Sequence, residues 1–348
     1  MRESNFWDEF EYSKLKLLLN IDKVNSIMDV ANGKKMLDKS FPISVELHLT
    51  DLCNLKCSWC TDKELRKNRA TLSLETIRKI FKEFAEHNTG ITLEGGGEPT
   101  LHPNFKEIVD AGSELGLDLG LITNGTIDIS DSVHRLKWIR VSLDSSNENE
   151  YKSEKGVDAF DKVLENLKKM TAIRNPQKTF VGVGYVLTKR NQNNLEDLIN
   201  QLDKIGVDYI YIRPVEEAPD ITPTVEEMLD LRKKLVEITS NKRIKYMLTI
   251  VDRVIEKNNN LPCIAHSLTS IIHANGDVSL CEKRRNENTI LGNVNNSYFC
   301  EIWESTYREQ YTQRLLSAEC QQGCSVCRIT GFNMMFDSLN KLNTKHFI

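Results

Sequence analysis

Two periods alternate along the middle of the chain. Apolar and polar residues interchange, as on a strand, over residues 43–49, 91–94, 118–122, 138–143, 179–187 and 208–212. Between these runs, helical spacing appears near 73–87, 104–115, 158–173 and 194–204. Ser73 with Thr76 suits a helix start, and Pro103 precedes the second helical run. Six strands alternating with helices predict a parallel β/α architecture with right-handed crossovers. The strands also differ from fully buried ones. Val45, Leu47 and Leu49 oppose Glu46, His48 and Thr50; Ile139, Val141 and Leu143 oppose Arg140, Ser142 and Asp144; Ile210 and Ile212 oppose Tyr209, Tyr211 and Arg213. A closed eight-stranded barrel fills its interior with branched apolar residues. One polar face predicts instead an open, partial barrel that holds a polar ligand, the alternative being a sheet face in solvent.

Residues 221–240 read as a further helix opened by Pro223 and Thr224, and then the pattern changes. SIIHANGDVSLC is two alternating runs joined by Asn275-Gly276, a hairpin signal because both turn residues tolerate positive φ. A helix is expected over 299–316. The expected organisation is a helical extension over 1–40, a β/α domain over 41–240, a small α+β cysteine-bearing domain over 241–335 and a tail over 336–348.

Composition narrows the class. The 348 residues include 46 basic and 50 acidic ones, a net charge of −4. A mildly acidic chain without a basic stripe lacks the footprint of a nucleic-acid binder. Its apolar stretches are short of the ~20 residues a membrane helix needs. The acidic, aromatic start MRESNFWDEFEYSKLK is not a secretory signal, so a cytoplasmic location is expected, with neither nucleic acid nor membrane as partner.

Nine cysteines change the picture most. Cys53, Cys57 and Cys60 stand together, and Cys263, Cys281, Cys300, Cys320, Cys324 and Cys327 follow in the last quarter. Disulfide frameworks belong to small secreted domains, so metal or cluster ligation is the better explanation. TDLCNLKCSWC is a CxxxCxxC run just past the first strand, at the strand end where β/α proteins bind ligands. Three thiolates can hold three irons of a cubane and leave the fourth iron open, whereas an electron-carrying cluster normally has four cysteine ligands. The alternative is a zinc site, which requires a fourth ligand such as His48.

CxxxCxxC with an aromatic before its third cysteine, here Trp59, resembles the signature of the radical S-adenosylmethionine (SAM) superfamily. LEGGGEPTLHP supports the resemblance, with Gly96, Gly97, Glu98 and Pro99 at the GGEP motif. Glycines there let the backbone approach the methionyl ammonium, whose charge Glu98 can offset. LITNG at 121–125 and VSLDS at 141–145 resemble strand ends that contact SAM, which makes Asn124, Ser142 and Asp144 cofactor-side candidates. YKSEKGVDAF resembles a stretch that carries arginine four residues before its glycine; Lys152 holds that position here, so a single ammonium contact replaces a bidentate one. These matches cover roughly residues 43–215 and imply an α/β fold built on a partial (β/α)6 TIM-like barrel. They also imply an enzyme in which SAM chelates the open iron of a [4Fe-4S] cluster. A reduced cluster, fed by a donor such as flavodoxin or ferredoxin, cleaves SAM to a 5′-deoxyadenosyl radical that abstracts hydrogen from an unreactive C–H bond, while the protein positions the carbon and excludes water.

Cys263 and Cys281 flank the hairpin as Cx12GxxxxC, and ECQQGCSVC closes with Cys324 and Cys327 as CxxC. This resembles a twitch domain, a shortened SPASM domain. The resemblance makes Cys263, Cys281, Cys324 and Cys327 the ligands of an auxiliary [4Fe-4S] cluster, with a zinc ribbon as the alternative. Cys320 forms a second CxxxCxxC with Cys324 and Cys327, and can replace a ligand or serve as a redox or hydrogen-donor thiol. Cys300 reads as a small buried hydrophobe.

An auxiliary cluster suits a reaction that must dispose of an electron after hydrogen abstraction. Glu46, His48, Glu94, Tyr211 and Glu216 are candidate bases, with Glu216, just past Arg213-Pro214, the favoured one. Lys283, Arg284 and Arg285 can bind an anionic substrate. Two substrate classes are open: a small polar sugar- or amine-like molecule to be oxidised or epimerised, and a ribosomal peptide to be matured. Residues 1–40 look short for a leader-binding module, which tips the expectation to the small molecule. A non-catalytic zinc or Fe–S binding protein is the contrasting class.

Overall fold

The computed structural model describes residues 13–216, 218–248, 261–285, 287–316 and 329–342. The chain divides into two compact units, one of residues 45–250 with 271–277, the other of residues 1–44, 251–270 and 278–348.

The first unit carries seven strands: β1 (Ser44–His48), β2 (Gly90–Glu94), β3 (Leu119–Thr123), β4 (Trp138–Ser142), β5 (Phe180–Leu187), β6 (Tyr209–Pro214) and β7 (Lys245–Leu248). They lie side by side in sequence order, and every pairing from β2 to β7 is parallel. Helices alternate with them: α2 (Leu74–Glu86), α3 (Phe105–Glu114), α4 (Glu148–Lys155), α5 (Phe160–Ile173), α6 (Leu195–Ile205) and α7 (Val225–Ile238). Ser73 caps α2 by accepting from the Thr76 amide, and Thr224 with Glu227 forms a capping box on α7.

Alternation in sequence becomes two chemically distinct sheet faces. Val45, Leu47, Ile91, Leu93, Leu121, Ile139, Val141, Val183 and Ile210 are all buried on one of them. Glu46, His48, Glu94, Arg140, Ser142, Tyr211 and Arg213 occupy the opposite parity. On that face glycines are a packing requirement. A Cβ on Gly120 would lie 2.2 Å from the Trp138 ring, and one on Gly182 would lie 2.2 Å from the Tyr209 ring. The space they leave lets the Arg140 guanidinium lie 4.3 Å from the Tyr211 ring centroid and 5.3 Å from that of Trp138.

The structure departs from the sequence expectation at three elements. β7 is a seventh parallel strand where a domain boundary was expected; Lys242, Arg243 and Lys245 dilute its apolar signal. The helical run at 158–173 is preceded by α4, whose ENEYKSEK sequence has almost no apolar face to betray it. The hairpin between β8 (Thr269–Ile272) and β9 (Asp277–Ser279) is not a two-residue Asn-Gly turn. Gly276 donates to the His273 carbonyl (2.8 Å), and among the two turn residues only Gly276 has positive φ, at +90°. Asn275 instead caps the Asp277 amide with its side-chain oxygen (3.1 Å).

The second unit absorbs the N-terminal extension. Leu17 and Ile27 of the segment containing α1 (Ile21–Ala31) share one apolar cluster with Ile264, Ala265, Leu268, Ile329 and Phe336. Residues 13–40 are therefore no free-standing element. The expected helix at 299–316 is broken into α8 (Phe299–Trp303) and α9 (Thr306–Leu316), and the expected tail begins inside α10 (Thr330–Lys341). The same unit buries Lys23, Asp38, His266 and Arg308 together with Trp303.

Candidate active site

The cysteine loop follows β1, and its backbone is tied down at nearly every residue. Thr50 and Leu52 give their carbonyls to the amides of Gly97 (2.8 Å) and Glu98 (2.7 Å). Asn54 donates to Thr126 Oγ1 (2.8 Å) and accepts from Asn124 Nδ2 (2.8 Å). The Lys56 amide donates to the Lys155 carbonyl (2.9 Å). The Ser58 amide donates to the Glu154 carbonyl (3.1 Å), and the Ser58 hydroxyl to the Glu154 carboxylate (2.9 Å). Three segments thus hold one loop: the end of β2, the end of β3 and the C-terminus of α4.

The glycine motif acquires its reason here. Gly95 and Gly96 have φ of +77° and +39°, where side chains are strained. A Cβ on Gly95 would sit 1.9 Å from the His48 imidazole, and one on Gly97 would sit 2.0 Å from the Leu52 carbonyl oxygen. The glycines let β2 approach the stem of the cysteine loop, whatever else they approach. Glu98 is equally committed. Its Oε1 accepts from the hydroxyls of Thr100 and Thr123 (both 2.6 Å) and from the Thr100 amide (3.2 Å), while Oε2 accepts from the Asn124 amide (2.7 Å). Burial pushes the Glu98 carboxyl up, against the pull of those four donors.

Asp144 and Lys155 form a buried ion pair, their residues 1 % and 3 % exposed. The other Asp144 oxygen accepts from the Val186 amide (2.7 Å). Burial opposes the charge on Lys155, but Asp144 and then the Cys57 sulfur outweigh it and hold the ammonium above the usual lysine range. Its Nζ lies 5.8 Å from the Trp59 ring centroid. Lys152, the residue matched by position to a SAM contact, is two-thirds exposed and 3.9 Å from Asp158. The buried cation that α4 brings to the loop is Lys155, one residue before the αL glycine Gly156, whose missing Cβ would meet Lys56. Ser142, half-buried, stands beside Gly184.

Cys53, Cys57 and Cys60 are free thiols at intermediate burial. Burial pushes the Cys53 and Cys57 thiols up; the charge of Cys60 adds to this at Cys53, and the charges of Cys53 and Cys60 add to it at Cys57. Among the described residues, no three of His, Cys, Asp or Glu converge as ligands of a single ion. Two cations face the thiols: Lys155, and Arg66 with Nη1 3.7 Å from Cys60 Sγ. This donor set fits three irons of a cluster. Arg66, Asn54, Lys155 and Thr123 escape sequence reading; the nearest signals are the basic cluster at 63–69 after Cys60 and the SEKG helix end.

Of the other candidates, Glu216 accepts from Arg213 Nη1 (3.1 Å) at the end of β6. His48 and His273, both buried, meet edge to face at 5.2 Å. In the second unit, the Cys263 sulfur accepts from Asn333 Nδ2 (3.9 Å), and Cys281 bridges to Arg284. Cys300 is half-buried at the start of α8. Cys320, Cys324 and Cys327 lie outside the described residues.

Residues 47–214 match the family model for the radical SAM superfamily, and residues 263–328 match SPASM, an iron–sulfur cluster-binding domain. The probable GTP 3′,8-cyclase of Sulfurisphaera tokodaii is 29% identical over 72% of this chain and 85% of its own. The tungsten-containing aldehyde ferredoxin oxidoreductase cofactor-modifying protein of Pyrococcus furiosus is 25% identical over 76% and 81%. Among solved structures, Streptococcus suis SuiB has a TM-score of 0.64 at 18% identity, covering 87% of this chain and 77% of that one. anSMEcpe with bound AdoMet has a TM-score of 0.62 at 17% identity, covering 82% and 89%. These two share the fold.

Proposed function

The chain is an enzyme of the radical SAM superfamily, and from that premise we propose that it activates a C–H bond of a peptide substrate. The observation that carries the reading is the braced loop presenting Cys53, Cys57 and Cys60 at the strand ends, with Arg66 and Lys155 beside the thiols. When bound, a [4Fe-4S] cluster with one open iron and SAM supply a 5′-deoxyadenosyl radical that removes a substrate hydrogen atom. The three cysteines hold three irons. The ties from β2, β3 and α4 would hold the three thiols in place once a cluster is bound, so little reorganisation would accompany turnover. Ser142 and the glycine-lined end of β2 border the SAM side. Glu46, Glu94, Arg140, Tyr211 and Arg213 on the polar face of a partial barrel orient the substrate, and Glu216, held by Arg213, is the favoured proton acceptor. Cys263 and Cys281, with Cys324 and Cys327, hold the auxiliary cluster; the Asn333 amide beside Cys263 suits a ligand environment.

This reading prefers the peptide to the small molecule that the sequence led us to expect. SuiB has been crystallised with the precursor peptide SuiA, and anSMEcpe with the Cp18Cys peptide, which supports a peptide on this fold. A small polar substrate, such as the nucleotide in the name of the S. tokodaii relative, is the second reading, favoured by the Arg140 guanidinium stacked between Trp138 and Tyr211. Anaerobic assays with SAM and dithionite separate them. A peptide library is expected to raise deoxyadenosine above the substrate-free level, with deuterium transferred from labelled peptide; a rise with GTP and none with peptides overturns the peptide assignment.

A further inference from the structure

Arg66 is held where it is by an unusual return of the chain. After Cys60 the backbone makes a single 3₁₀ turn (Leu65–Asn68), reverses at Arg69 with φ +48°, and then runs back along the extension of β1. The return is fastened by an Asp51–Ala70 exchange, in which the Asp51 amide donates to the Ala70 carbonyl (2.8 Å) and Asp51 Oδ2 accepts from the Ala70 amide (3.1 Å). Thr50 and Thr71 pair through their hydroxyls (2.7 Å), and the Leu72 amide donates to the Leu49 carbonyl (3.0 Å). This β-bridged strap brings the Arg66 guanidinium over the cysteine loop, where its two ends do different work. Nη2 donates to the Leu55 carbonyl (3.0 Å), between the first two cysteines, and Nη1 donates to Cys60 Sγ (3.7 Å).

We propose that Arg66 is a positioning residue that clamps the two ends of the cysteine loop together and stabilises the reduced form of the cluster held there. This rests on the assignment of Cys53, Cys57 and Cys60 as its ligands. A reduced cluster carries one more negative charge than an oxidised one, so a fixed cation and an N–H donor to a ligand sulfur favour reduction and raise the potential. The planar fork reaches a carbonyl and a sulfur at once, a geometry that lysine's single ammonium does not reproduce. The electron comes from a low-potential one-electron donor, and it leaves the cluster oxidised again after transfer.

The test is an EPR-monitored redox titration of anaerobically reconstituted full-length Arg66→Gln, without SAM or substrate. With iron incorporation equal to wild type, the reduced-to-oxidised ratio of the three-cysteine cluster at fixed potential is expected to fall about tenfold, a shift of about 59 mV for one electron. The auxiliary cluster, whose assigned ligands stand in the other unit or outside the described residues, is expected to keep its potential and serves as the internal reference. An unchanged potential at full iron content overturns the role of Arg66 while leaving the ligand assignment intact. Failure of the wild type to take up iron at the loop overturns that assignment instead. If Arg66→Gln takes up too little iron to titrate, Arg66→Lys carries the test: it keeps the charge and loses one acceptor, so a smaller fall in the same direction is expected, and a wild-type potential overturns the proposal.

Discussion

Asp144→Asn is expected to lower the unfolding free energy by about 3–5 kcal/mol, the cost of leaving a buried ion without its partner. The stranded group is Lys155, 3 % exposed and beside Trp59 and the Cys57 sulfur. The loss spreads further than one pair. Asp144 also accepts from the Val186 amide, and the Lys155 carbonyl holds the Lys56 amide, so the substitution loosens β5 and the cysteine loop at once. Asp144→Leu with Lys155→Met, which removes both charges, is expected to recover most of the stability, because replacing a buried pair with apolar groups of similar size is often close to neutral. Urea unfolding of the two variants checks this; equal losses in both would contradict the pair as the cause.

Asp38→Ala is expected to cost as much in the other unit, about 3–5 kcal/mol or a large share of a typical domain's margin of about 5–15 kcal/mol. Asp38 is the carboxylate between two buried cations. Its Oδ2 is 2.6 Å from Lys23 Nζ, and Arg308 Nη1 donates to its backbone carbonyl (3.0 Å) while the guanidinium lies 3.5 Å from the Trp303 ring centroid. Burial lowers Lys23 to about 8 and Arg308 to about 9, and the Asp38 charge offsets part of that cost at each, so its removal leaves both cations without their counter-charge. Burial, and then Arg308, also lowers His266 to about 3 from an ordinary 6.5. The sign follows from linkage. As pH falls from about 6.5 toward 3 the unfolded chain takes a proton on this histidine and the folded one does not, so stability present above that window is lost within it. His266→Gln is expected to flatten the acid side of the stability profile over that window. A profile with the wild-type slope would contradict the assignment.

Much of this fold was legible in the sequence, because strand alternation and helical spacing report burial directly. Val45, Leu47, Ile139 and Val141 declare the buried face, and Glu46, Arg140 and Tyr211 the polar one. β7 and α4 escaped because charged residues hide their periods, and tertiary pairing alone specifies them. The site shows a sharper division. The cysteine spacing and the need for glycine at Gly95 to Gly97 are properties of the local chain. Their partners are not: nothing near Gly97 in sequence announces the Leu52 carbonyl. The resemblance to the family's motifs makes Glu98, Asn124 and Asp144 SAM-side candidates, and in the structure each also bonds to the scaffold around the cysteine loop. Lys152 and Lys155 differ by one turn of helix, and only the packing of α4 on the loop decides which one is buried.

The most direct test is iron, labile sulfide and deoxyadenosine measured together on the anaerobically reconstituted chain and on its Cys53→Ala, Cys57→Ala, Cys60→Ala triple variant. Two [4Fe-4S] clusters predict about eight irons and eight sulfides in the wild type, and about four of each with no deoxyadenosine from SAM and dithionite in the variant. Zinc without labile sulfide in the wild type, or deoxyadenosine still formed by the variant, would contradict the account.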